Sequence, residues 1–172
     1  MQDSESPETT KGAGAATEQP QQRVDLRKIY TKDVSYEAPS TPQIFTGEWE
    51  PQISQELANT HNQLSEFAYE VCLRVTITAK IEEKVAYLAE INQAGIFHFF
   101  GYSPKELENL IAVFCPSLLF PYIREAVSGL SARGGFPPLL LQHIDFSAMY
   151  AQYLQHKGEE AQAELDGGAE SH

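Results

Sequence analysis

The sequence predicts an α+β protein in which an antiparallel sheet carries a long kinked helix and a C-terminal helix on one face. Three observations predict it. The strand patterns come first along the chain and the helical patterns second. Two alternating runs flank a short polar turn, the signature of an antiparallel hairpin. Two stretches with helical spacing begin at recognisable caps.

The first strand spans Ile29 to Ala38, with Tyr30, Val34, Tyr36 and Ala38 on one face and Thr31, Asp33, Ser35 and Glu37 on the other. Pro39, Pro42 and Pro51 then mark a long irregular connection that contains Ile44, Phe45 and Trp49. The clearest strand is Tyr69 to Lys80, where Val71, Leu73, Val75, Ile77 and Ala79 share a face. Glu82 and Glu83 form the polar turn. The next strand sets Val85, Tyr87, Ala89 and Ile91 against Ala86, Leu88, Glu90 and Asn92, and it can continue to Phe99. Ser103, Pro104 and Glu106 are an N-cap, an N1 proline and a capping-box acid. Leu107, Leu110, Ile111 and Phe114 follow at helical spacing, and Pro116 and Pro121 predict a break or kink. The helix resumes through Leu130 and stops at Gly134 and Gly135. An apolar, proline-rich link from Phe136 to Leu141 leads to a last helix capped by Asp145, with Phe146, Met149, Tyr150 and Tyr153 as its stripe.

With 172 residues, 42 % of them hydrophobic, the chain suits one modest core plus tails. The expected division is a disordered tail over 1–22, a folded domain over 23–157 and a disordered acidic tail over 158–172. Both ends have almost no large apolar side chains and cannot offset their ordering entropy. The net charge of −12 argues against nucleic acid, which demands clustered Lys and Arg, and against anionic membranes. The tails hold much of it, with four acids against one lysine over 1–22 and five against one over 157–172.

Cys72 and Cys115 have no metal-ligand spacing and read as buried thiols of a reducing compartment. The start of the chain has no signal-peptide pattern, and no apolar run reaches the length expected of a membrane span. A cytoplasmic protein without membrane insertion is the expectation. The five histidines show no HExxH or HxH spacing, and no phosphate-binding glycine loop occurs, so no metal, cofactor or catalytic residue is expected.

Four separated segments carry a resemblance to a known family. Ile29 to Pro39 resembles the opening strand of the SecB protein-export chaperones. Gln93-Ala94-Gly95-Ile96-Phe97 is similar to their QGGIF segment, with Ala94 in place of a glycine. Cys115 to Glu125 is similar to their CPxxLFPYxRE signature, and Arg133 to Leu139 to their RGxFPxL stretch. The resemblance spans about Ile29 to Gln155. It implies a four-stranded antiparallel sheet and a homotetramer built as a dimer of dimers. It further implies an ATP-independent chaperone that binds unfolded precursor proteins in the cytoplasm and delivers them to the SecA motor ATPase.

Two residue sets bear on such a function. Asp33 and Glu37 are four apart and share a strand face; Glu90 lies on the polar face of its strand, with Leu88 beside it. A leucine ringed by carboxylates fits either a solvated sheet face or a protein-docking patch. The resemblance assigns SecA docking to Asp33, Glu37, Leu88 and Glu90. The second set is an apolar surplus on the proline-bounded links. Ile44, Phe45, Trp49, Phe136, Leu139 and Leu141 are the candidate lining of an unfolded-client groove, unless the links merely cover the core. Burying a few hundred Å² of such surface contributes roughly 5–10 kcal/mol gross, of which client ordering takes back much. The resemblance also implies oligomer contacts at Ala89, Ile91, Gln93, Tyr122 and Val127. A small α+β hydrolase or isomerase, and a guardian of one client such as an antitoxin, are the competing readings. A closed pocket with paired titratable groups would favour the enzyme, and genomic context would identify the guardian.

Overall fold

The computed structural model describes residues 21–167. Four strands form one antiparallel sheet: β1 (Arg23–Glu37), β2 (Gln52–Gln63), β3 (Ala68–Ile81) and β4 (Lys84–Phe100), in the order β1-β4-β3-β2. The three helices are α1 (Pro104–Asn109), α2 (Cys115–Arg133) and α3 (Phe146–Gly167).

β3 and β4 occupy the centre of the sheet, which is why their alternation is strongest. Val71, Leu73, Val75, Ile77 and Ala79 are all buried, as are Tyr87, Ala89, Ile91, Gln93 and Phe97 opposite them. Ile111, Leu119, Ile123 and Val127 cover that face from the helical side. Gly95 permits the close approach: a Cβ there would lie 2.6 Å from the Phe97 ring and 3.2 Å from Leu119.

β2 is a strand that the residue pattern did not reveal. Its sequence, rich in Gln, Asn, Ser and Thr, has little apolar alternation and low strand propensity. Continuous pairing with β3, from Gln52 opposite Lys80 to Gln63 opposite Tyr69, overrides that weak local preference. The first strand also departs from expectation. A register shift between Thr31 and Asp33 reverses the alternation. Tyr30 thereby joins the open face and bonds Glu70, while Thr31 turns to the helix side and bonds Gln93 at 3.1 Å.

The expected break or kink takes the form of a local widening. Residues 110–114 form a π-helical turn, and the Cys115 amide donates to the Leu110 carbonyl five residues back. That wider turn precedes Pro116, which has no N–H to offer, and the helix runs on through Pro121. Taken as one helix, residues 104–133 contain an 18-residue window whose mean hydropathy reaches 1.5, enough by length and composition alone to cross a membrane. Their most apolar side chains pack on the sheet.

Both expected caps form. Ser103 and Glu106 exchange the two bonds of a capping box. The Asp145 carboxylate accepts from the Ala148 amide at 3.0 Å. α3 continues past Lys157 to Gly167. Ala, Gln and Glu after Gly158 are good helix formers, and they extend a helix already nucleated on the core. The expected tail over 1–22 lies outside the described residues up to Pro20, as do residues 168–172.

Candidate functional site

Because β1 and β2 lie at opposite edges, residues 38–51 must cross one end of the sheet. This strap holds a single 3-10 turn, Gln43–Thr46. Its hydrogen bonds are internal: Ile44 amide to Ser40 carbonyl at 2.9 Å, Phe45 amide to Pro42 carbonyl at 3.1 Å, and Thr41 and Thr46 hydroxyls to carbonyls three residues back. Among the described residues, no hydrogen bond ties the strap to the helices or to the link at 136–141. It is held by aromatic packing. Phe45 and Trp49 meet Phe136 with ring centroids at 5.0 and 4.9 Å, and Trp49 stacks on Tyr87 at 6.3 Å. Tyr87 contacts Phe136 at 5.1 Å and stacks on Tyr36 at 5.8 Å.

The opposing wall is secured differently. Ser131, fully buried in α2, donates its hydroxyl to helix carbonyls and accepts from the Leu139 amide at 2.9 Å. The Arg124 guanidinium donates to the Leu141 carbonyl at 2.9 Å. The link over 136–141 is thus bonded to α2, whereas the strap is not. Ser131→Ala is expected to orphan the Leu139 amide and cost about 1–3 kcal/mol of stability. Urea denaturation measures it, and a change within 0.5 kcal/mol, about the size of a neutral surface substitution, would contradict the role.

The structure brings together three of the six candidate groove residues, Phe45, Trp49 and Phe136, at one aromatic cluster. Ile44 and Leu139 are half-buried against the core. Phe136 and Leu141 are only 5 % and 4 % exposed, so neither lines an open surface here. The residue pattern missed Tyr36, Tyr87 and Ser131. Their alternation marks them as inward-facing, but which loop closes over them is not encoded locally. On the link itself, Leu140 stands out at 71 % exposure.

Further apolar surface lies along α3, where Met149, Tyr153 and Leu154 are exposed. With Leu57, Leu107 and Ile111 they border a groove of about 940 Å³ between β2, α1 and α3, except that Leu154 falls outside it.

All four docking candidates stand on the open face of the sheet. Glu37 is opposite Leu88, Ser35 is opposite Glu90, and Asp33 is opposite Asn92. Asp33 and Glu37 are exposed; Leu88 and Glu90 are half-buried. The Thr76 hydroxyl donates to Glu90 at 3.1 Å. Further along, Lys32 donates to both Glu70 oxygens at 2.9 and 3.0 Å, and Tyr30 donates to the same carboxylate. The Lys32 ammonium, and then the Tyr30 hydroxyl, hold the Glu70 carboxyl below its ordinary range.

The oligomer candidates divide by burial. Ala89, Ile91, Gln93 and Val127 are at most 3 % exposed within this single chain. Ala89, Ile91 and Gln93 face α2 across the core because they share the helix-side register of β4, and Val127 points inward from α2, so all four side chains are already occupied. Tyr122, at 50 % exposure, is the one that faces outward. Cys115 is buried as expected, and burial pushes its thiol up to about 12, far from a reactive thiolate. Cys72 is instead half-buried on the open face. No group of three or more His, Cys, Asp or Glu suited to a metal ion occurs among the described residues.

Residues 17–157 match the SecB family, described as preprotein translocase subunit SecB. A "Protein-export protein SecB" of Alkalilimnicola ehrlichii is 46 % identical over 162 residues, covering 93 % of this chain and 86 % of its own. One from Methylococcus capsulatus is 49 % identical over 145 residues, covering 84 % and 94 % respectively. A Mycobacterium tuberculosis SecB-like chaperone, solved in complex with a ChAD peptide from an antitoxin, superposes with a TM-score of 0.60 at 21 % identity. That match covers 71 % of this chain and 91 % of the other, and it speaks for the fold.

Proposed function

The chain belongs to the SecB family, and from that membership we propose that it is an ATP-independent chaperone of preprotein export that holds unfolded precursors by apolar contact. Proteins of this family are chaperones and not enzymes. The observation that carries the reading is apolar surface left open on the strap, the link and α3: Phe45 is 48 % exposed, Leu140 71 % and Tyr153 57 %. A soluble domain rarely leaves several large apolar side chains open on neighbouring irregular segments without a partner. Contact area of this kind binds many sequences with moderate strength, and a protein that binds only the unfolded state keeps it unfolded by mass action.

The finer parts of the reading extend the proposal. Delivery to SecA would use the acidic sheet face around Asp33, Glu37, Leu88 and Glu90. The active form would be a homotetramer working in the cytoplasm, with Tyr122 at a subunit contact. The enzyme reading loses ground because the chain belongs to a family of chaperones.

The test is an ATP-free aggregation assay with a chemically unfolded precursor. Equimolar tetramer is expected to suppress light scattering by more than half. Scattering that is unaffected at that ratio would refute the holding function.

A further inference from the structure

Two buried hydroxyls have no partner among the described residues: those of Tyr36 and Tyr87. Every other buried side-chain polar atom there is hydrogen-bonded, so this pair is a concentrated exception. Both belong to the aromatic cluster beneath the strap, with their rings stacked on one another. Tyr87 is only 1 % exposed. The Tyr36 hydroxyl abuts the end of α2, where a Cβ on Gly134 would lie 1.8 Å from it. The chain therefore spends a glycine to seat a hydroxyl that bonds no protein group among the described residues. A phenylalanine at either position would supply the same packing without the desolvation cost.

The arrangement above these hydroxyls is equally particular. The strap that covers them is bonded only to itself, so lifting it breaks aromatic contacts and no hydrogen bond to the helices or the link. The floor exposed by that movement would be Tyr36, Tyr87 and Phe136: an apolar surface carrying two hydroxyls. An unfolded polypeptide offers its own main-chain amides and carbonyls, and each one buried on an apolar floor needs a partner. Hydroxyls can both donate and accept, and so suit either group in any sequence.

We propose that the Tyr36 and Tyr87 hydroxyls are the groups that hydrogen-bond the main chain of an unfolded client once the strap has lifted. The proposal rests on the client-binding reading above and adds to it the chemistry of the contact. Main-chain recognition explains how one cluster serves clients of unrelated sequence, because side chains then contribute area and the backbone contributes register.

The experiment uses the full chain, its Tyr36→Phe and Tyr87→Phe variants, and the double variant. The probe is a globular protein made permanently unfolded by reduction and carboxymethylation. Affinity is measured by calorimetry and the thermal midpoint by circular dichroism. The expected result has opposite signs: midpoints equal to or above that of the parent, with affinity falling about tenfold in the double variant. Equal or higher affinity in the double variant would overturn the proposal. So would a lowered midpoint, which would mean that the hydroxyls already have a partner inside the folded protein. If the parent chain fails to bind the probe, the client-binding reading itself fails, and that outcome is distinct from the other two.

Discussion

Replacing Asp33 and Glu37 together by lysine is expected to weaken SecA binding by at least about tenfold at low salt while leaving client binding within about twofold. The two carboxylates are exposed on one face of β1, and Glu37 sits directly opposite Leu88. Glu90, bonded by Thr76, completes an acidic border around that leucine. Reversing both charges turns an attractive border into a repulsive one for a basic partner surface. The effect should shrink as salt rises, because the Debye length falls to about 8 Å at physiological ionic strength. The aromatic cluster lies on the opposite side of the sheet, so the client assay should not respond. A salt-controlled titration that gives the parental SecA affinity would remove this face from the docking proposal. A comparable loss of client binding would point to a general defect.

Phe136→Ala is expected to destabilise the protein by about 3–5 kcal/mol, the usual cost of emptying a buried aromatic site. Phe136 is 5 % exposed and touches Phe45, Trp49 and Tyr87 at once. Its removal takes away the surface on which the strap rests, and the strap has no bonds to the helices or the link to compensate. Trp49 is the only tryptophan, so intrinsic fluorescence reports on the strap directly. In the variant, the emission should shift to the red at urea concentrations where circular dichroism is still native. A stability loss under about 1 kcal/mol, or a single transition seen by both probes at the parental midpoint, would show that the cluster does not hold the strap.

Much of the fold was legible because local signals and tertiary demands agree in its central parts. β3 and β4 are buried on one face over their whole length, and their period-two alternation follows from that. Ser103 and Asp145 act through bonds to residues three positions away, so a short sequence window contains both partners. β2 was illegible for the complementary reason. It is an edge strand whose polar side chains pack on little, and it exists through pairing with β3. The reversal at Thr31 and Asp33 also escaped notice, since a register shift leaves alternation intact on either side and changes only which side faces in.

The sites divide along the same line. Asp33, Glu37, Leu88 and Glu90 were grouped by strand parity, and cross-strand register then set them on one open face. The resemblance marked Ala89, Ile91, Gln93 and Val127, and all four are buried inside the subunit, the first three on the helix-side face of β4 and Val127 on the sheet-facing side of α2.

By itself the sequence determined the family, the sheet-then-helix order, the helix starts and the acidic, apolar-rich character of the surface. Those follow from contacts within a few residues or from composition, and a linear chain displays both. Only the tertiary structure decided that Tyr36, Phe45, Trp49, Tyr87 and Phe136 form one cluster, because they come from β1, the strap, β4 and the link. It alone revealed that the strap above two unpartnered hydroxyls is bonded to nothing but itself. Which donors and acceptors remain unpaired depends on the path of every segment around them, and no local pattern carries that information.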